Sequence, residues 1–198
     1  MNYTLRNHIA RIETELYVQD YSNPAEFIKF CKQCNKYAQS WACPPFNFNP
    51  IETIQKYKHT YVIGTQVLFT EEYRQKHQSD SDIKTAGDQV MYDVRKLLDK
   101  RLLDIENAYS ETRAFYAGSC HLCPEDTCTR KQNKPCRYPR LIRPSLEAFG
   151  FDIGKTTSKL LNLELKWGKK GALPEYYILV SGIMTQTPLP NLDKLLAF

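Results

Sequence analysis

Residues 83–118 read IKTAGDQVMYDVRKLLDKRLLDIENAYSETRAFYAG, and the parsing of this stretch decides the fold. Val90, Met91, Val94, Leu97, Leu98, Leu102 and Ile105 recur at steps of three and four, which places them along one face of a helix from Ile83 to Ser110. TRAFYAGSC follows from Thr112, β-branched and aromatic at its start, and reads as a strand ending at Gly118. A cysteine-rich loop therefore begins, at Cys120, where a strand runs out.

Working outward, TYVIGTQVLF at 60–69 and YYILVSGIM at 176–184 read as two further strands. Residues 9–18 alternate imperfectly and are read as strand, while 71–82, EEYRQKHQSDSD, reads as an exposed loop. Asn23 and Pro24 supply a cap and a first-turn proline for a helix that delivers Cys31 and Cys34 near its end. Short helices are expected at 51–57, over PSLEAFG before Gly150, around TTSKLLNL, and as a turn in the tail. The expectation is an α+β fold: a small mixed or antiparallel sheet, one long amphipathic helix, and cysteine-rich metal-binding loops at element ends. It forms a single domain, residues 1–198, with cysteine-rich segments at 31–45 and 120–139.

The bulk numbers narrow the class. Hydrophobic residues at 42%, charged residues at 25% and a mean hydropathy of −0.53 are those of a soluble globular protein. No apolar run approaches a membrane span and the N-terminus lacks an export signal, so no membrane partner is expected and the reducing cytoplasm is the default compartment. The net charge of +5 falls short of a nucleic-acid footprint, and no nucleic-acid partner is expected. Arg130, Lys131, Lys134, Arg137, Arg140 and Arg143 are read as offsetting thiolate charge. Glycine loops that cradle phosphates, a nucleophile elbow and HExxH are all missing.

All seven cysteines fall in two clusters. In a reducing compartment such clusters are metal ligands or redox groups rather than disulfides, and an odd count leaves a disulfide framework incomplete. Cys120, Cys123, Cys128 and Cys136 form a complete set of four thiolates within seventeen residues. Of these four, only Cys120 and Cys123 have the CxxC spacing that zinc sites use twice, whereas a 4Fe-4S cube tolerates graded spacing because its ligands bind separate irons. His121 and Asp126 lie in the same loop and are read as solvated.

Cys31, Cys34 and Cys43, followed by Pro44 and Pro45, give three thiolates, one short of a closed site. Zinc with three protein ligands keeps an open position, and a 4Fe-4S cluster with three cysteines leaves one iron for an exogenous ligand. Alternatively His59 or His77 closes the shell, or all seven cysteines serve one centre. Tyr37, Trp41, Phe46 and Phe48 surround these ligands, either as a collar that excludes water or as packing onto the sheet.

The motifs CxxCxxYxxxWxCPP at 31–45, FYAGSCHLC at 115–123 and CRYPxxxRPSLEAFGFD at 136–152 resemble those of DUF2284, a family of prokaryotic proteins predicted to bind metal. The resemblance implies metal binding through these cysteines as iron–sulfur, with no established reaction. Within it Arg143, Ser145, Glu147 and Asp152 are second-tier candidates that position a substrate or cap a helix. The function expected is an iron–sulfur protein with one or two 4Fe-4S clusters: a four-cysteine cluster for electron transfer, and a three-cysteine cluster with an open iron. It would act on a redox partner protein or a small-molecule substrate. Both an iron–sulfur oxidoreductase and a cluster-dependent non-redox enzyme are open. The alternative is a zinc-binding structural or adaptor protein without activity.

Overall fold

The computed structural model describes residues 2–77, 79–124, 127–166 and 172–198. Its centre is strand β2 (His59–Phe69), buried without interruption from Thr60 to Val67. That continuity is the mark of a strand covered on both faces. β1 (Tyr3–Glu13) flanks it on one side, β4 (Tyr176–Thr185) on the other, and the short β3 (Thr112–Phe115) closes the far edge, all antiparallel in the order β1-β2-β4-β3. The register sets Ile9 opposite Ile63, Ile63 opposite Ser181, and Ala114 opposite Ile183.

Alternation along the strands divides the core. Tyr61, Ile63, Val67, Phe69, Leu179 and Ile183 face the long helix α5 (Asp80–Ala108), which Ser79 caps by accepting from the Asp82 N–H. α5 buries Ile83, Ala86, Val90, Val94, Leu98, Leu102 and Ile105. Leu98 and Leu102 are wholly buried, and truncating either to alanine is expected to cost about 2–5 kcal/mol. Leu97 is 52% exposed: it stands one residue, roughly 100° of helix rotation, off the stripe it was assigned to.

Val62, Phe115, Val180 and Met184 point the other way, into a second core made by Tyr17, Ile54, Leu146, Phe149, Phe151 and Leu161. Tyr17 belongs to α1 (Thr14–Tyr21), stacks on Phe151 at 4.4 Å, and shares a hydrogen bond with Thr156. The strand expected over 9–18 is thus strand only to Glu13, and helix beyond it. The loop expected over 71–82 holds α4 (Glu71–Lys76), capped by Thr70, and the start of α5. β3 stops at Phe115 rather than Gly118 because the Tyr116 N–H turns away from β4 to the Pro144 carbonyl, 3.1 Å distant.

α2 (Pro24–Gln33) starts as its sequence predicts, with Asn23 accepting from the Glu26 N–H and Pro24 in the first turn. α3 spans Pro50–Ile54. The segment after Pro144 makes a 3₁₀ turn at Glu147–Phe149, closed by Gly150 at φ +88°, then α6 (Ile153–Lys155) running into a π turn at Thr156–Leu160. α7 is Leu192–Leu195. Gly150 is required: a Cβ there would lie 2.7 Å from Pro24 Cα, and its carbonyl accepts from the Asn23 N–H. Among the described residues no helix is long and apolar enough to cross a membrane.

Candidate metal centre

The first cysteine loop grows from the end of α2. Cys31 lies in its last turn, and the Cys34 N–H donates to the Cys31 carbonyl at 3.0 Å. The chain then folds back, with Ala38 in the left-handed region and donating to the Pro44 carbonyl at 2.8 Å. This brings Cys43 beside Cys31 and Cys34. Burial pushes the Cys43 thiol up, the Ser40 hydroxyl and nearby Arg130 oppose this, and Cys34 and Cys31 add to it. Cys34 is exposed.

The second loop leaves β3 and wraps Cys120, Cys123, Cys128 and Cys136 around one cavity of about 50 Å³, with Leu122 and Ile142 as apolar wall. Burial, then the neighbouring Cys136, Cys123 and Cys128, push the Cys120 thiol up to about 11, against the opposing hydrogen bond from the Leu122 N–H. Among the described residues no three His, Cys, Asp or Glu side chains converge closely enough to hold a single ion.

The donor chemistry fits a metal centre. At Cys34, Cys120 and Cys136 the sulfur accepts an N–H from the residue two positions on: Lys36 at 3.5 Å, Leu122, and Tyr138 at 3.4 Å. Arg137 donates to the Cys123 sulfur at 3.6 Å and to the Thr127 carbonyl at 2.6 Å. Such hydrogen bonds stabilise thiolate over thiol and tune bound metal.

The two loops are one structure. Arg130 donates to the carbonyls of Ser40, Cys43 and Pro45, with its guanidinium 5.3 Å from the Trp41 ring centroid. Trp41 in turn donates through Nε1 to the Lys134 carbonyl at 3.1 Å. Lys36, Gln39 and Ser40 of the first loop line the four-cysteine cavity. Residues 29–45 and 127–143 carry nine of the chain's 27 Lys and Arg and none of its 22 Asp and Glu, leaving 18 against 22 elsewhere.

Other candidates resolve case by case. His121 turns to α5, with Nε2 3.4 Å from Asp99 Oδ2, and burial pushes it down to about 4 while Asp99 is pushed up to about 7. At neutral pH the imidazole is uncharged, so this contact is no ion pair. Asp126 lies outside the described residues. His59 is engaged by Glu13 and Arg11, and His77 packs edge-on against Tyr73. Phe46 and Phe48 stack on each other and meet Phe149, so they pack the loop onto the sheet. Asp152 caps α6, and Arg143 makes a two-pronged ion pair with Glu106 at 2.6 and 2.7 Å.

Glu147 has a different character. Burial raises its pKa, Ser145 and Arg95 oppose, and its Oε2 has no hydrogen-bond partner. It lies within electrostatic reach of Cys31, as Arg95 does of Cys120. Arg95 and Asp99 went unread in the sequence. Their one signal is two opposite charges four apart beside the apolar stripe of α5.

An α+β scaffold that joins two cysteine-rich loops through Arg130, with backbone donors on the sulfurs of Cys34, Cys120 and Cys136, defines a cysteine-rich protein. The chain belongs to the DUF2284 family, described as predicted metal-binding protein, whose match spans residues 14–184. No curated protein and no solved structure matches it.

Proposed function

We propose that this is an iron–sulfur protein. Cys120, Cys123, Cys128 and Cys136 would hold a 4Fe-4S cluster for electron transfer, and Cys31, Cys34 and Cys43 a second with one iron open to an exogenous ligand. When bound, such clusters supply one-electron exchange and, at an iron lacking a protein thiolate, a Lewis-acid position. The observation that carries the reading is four thiols lining one cavity at the graded spacing Cys120-x2-Cys123-x4-Cys128-x7-Cys136. Zinc sites usually pair their ligands as two CxxC units, whereas the ligands of a cube bind separate irons and tolerate graded spacing.

The chain's own groups support this. The N–H donors of Leu122 and Tyr138 and the Arg137 guanidinium stabilise the ionised sulfurs, Leu122 and Ile142 limit water at the cavity, and Arg130 holds the second loop to the first. The reading places the protein in a reducing cytoplasm, with a redox partner protein or small-molecule substrate meeting the three-cysteine loop. Anaerobic purification with iron and acid-labile sulfide analysis, EPR and Mössbauer spectroscopy tests it. Brown protein with about four irons per occupied site is expected. Colourless protein with stoichiometric zinc would reject the reading in favour of a structural zinc module.

A further inference from the structure

Away from the cysteines, on the face of the sheet opposite α5, lies a cavity of about 270 Å³. Phe48, Ile54, Tyr57, Phe115 and Phe149 line it together with Thr53, Lys56 and Arg113. Arg113 and Phe115 share one face of the edge strand β3 by the two-residue repeat of a strand. The Lys56 ammonium sits 5.2 Å from the Tyr57 ring centroid.

Among the described residues no carboxylate touches Arg113 directly, and its side chain makes no hydrogen bond or ion pair. The acid near it, Glu106, is committed: its oxygens accept from Arg143 Nε at 2.7 Å, Arg143 Nη2 at 2.6 Å and the Ala114 N–H at 2.7 Å. Burial, and behind it the like charge of Arg143, lower the pKa of Arg113, while Glu106 opposes them at longer range. A partly buried guanidinium with no direct carboxylate contact can accept an anionic ligand, and its geometry matches a carboxylate through two parallel N–H bonds. Cavities with mostly apolar, aromatic walls and a few placed polar groups are the usual form of small-molecule sites.

We propose that this cavity binds a small planar organic carboxylate, its ring between Phe48, Phe115, Phe149 and Tyr57 and its carboxylate on Arg113, with Lys56 as second cation. At about 30 Å³ per water-sized volume, the space suits a ligand on the order of ten non-hydrogen atoms. Among the described residues no cysteine lines this cavity.

Isothermal titration of the full chain with benzoate, its neutral isostere benzamide, and acetate tests this. Benzoate should bind at least about tenfold more tightly than either, since benzamide lacks the charge and acetate the ring. Arg113→Met should weaken benzoate by about tenfold or more while leaving the melting temperature nearly unchanged, because the side chain makes no hydrogen bond or ion pair among the described residues. A purely structural arginine would lower it. Phe48→Ala, at a position 44% exposed, should weaken benzoate several-fold without touching the guanidinium, and decides the matter should Arg113→Met not fold. Equal affinity for benzoate and benzamide, unchanged benzoate binding in either variant, or no heat at millimolar benzoate would overturn the assignment.

Discussion

Arg130 donates to the carbonyl of Ser40 at 2.7 Å, across 90 residues of chain. Through this bond and its neighbours, the loop that carries four thiols fixes the path of the loop that carries three. Arg130→Ala removes three donors and a ring contact at once, and should cost roughly 1–3 kcal/mol in urea unfolding. Because the first loop loses its tether, metal content should fall by more than the four-cysteine site alone accounts for. Arg130→Lys, which keeps the charge but not the fork, should restore only part of it.

Cysteine substitutions separate one centre from two. Cys128→Ser should remove the metal of the four-cysteine site and leave the remainder, while Cys34→Ser should do the reverse. Metal and sulfide analysis of both variants, and of the pair combined, would show additive losses. Complete loss from either variant alone would mean that all seven thiols serve a single centre.

Gly150 couples the fold to the first loop. With φ at +88° and Pro24 Cα 2.7 Å from where a Cβ would stand, Gly150→Ala must move the start of α2. The left-handed backbone alone costs about 1–2 kcal/mol, and the clash adds to it. Since α2 ends on Cys31 and Cys34, the expected pattern is a lower melting temperature together with metal loss confined to the three-cysteine loop.

Asp99 makes stability depend on pH. Its carboxyl is pushed up to about 7 by burial, against about 3.9 for an ordinary aspartate. The folded protein keeps a proton that the unfolded chain sheds, so this contribution is fully present below about pH 4, declines through about pH 7, and levels off above. His121, pushed down to about 4, has the opposite sign: below about pH 6.5 the unfolded chain takes up a proton that the folded one refuses. Asp99→Asn leaves only the histidine slope. Its advantage over wild type should grow from pH 4 to 7 and reach roughly 2–4 kcal/mol, read by urea unfolding at each pH. A difference constant across that range would refute the assignment.

The parts legible in the sequence were those set by local periodicity. The buried stripe of α5, the uninterrupted apolar run of β2, and the Asn23–Pro24 start of α2 each follow from spacing or capping within a few residues. The start of β1 is hidden in the sequence because it is an edge strand whose first half, YTLRN, mixes polar side chains into the alternation. The end of β3 is hidden because the Tyr116 bond to Pro144, nearly thirty residues away, sets it. The grouping of the thiols was visible as spacing, but the joining of the two loops was not, since one arginine among several in a basic run performs it. Arg113 gave no signal, because an arginine in a strand is unremarkable until its neighbours are known.

The uneven distribution of charge has a consequence for how the molecule meets others. Segments 29–45 and 127–143 hold nine cations and no acid, while the remaining chain carries four more acids than bases. Glu125 and Asp126 sit in the sequence between Cys123 and Cys128, and up to seven thiolates lie among these cations, so the sign of the thiol-bearing lobe is set by how many thiols are ionised and by the charge of what they hold. A lobe left positive would meet an acidic surface faster at low ionic strength, and the gain would fade as salt shortens the reach of the field.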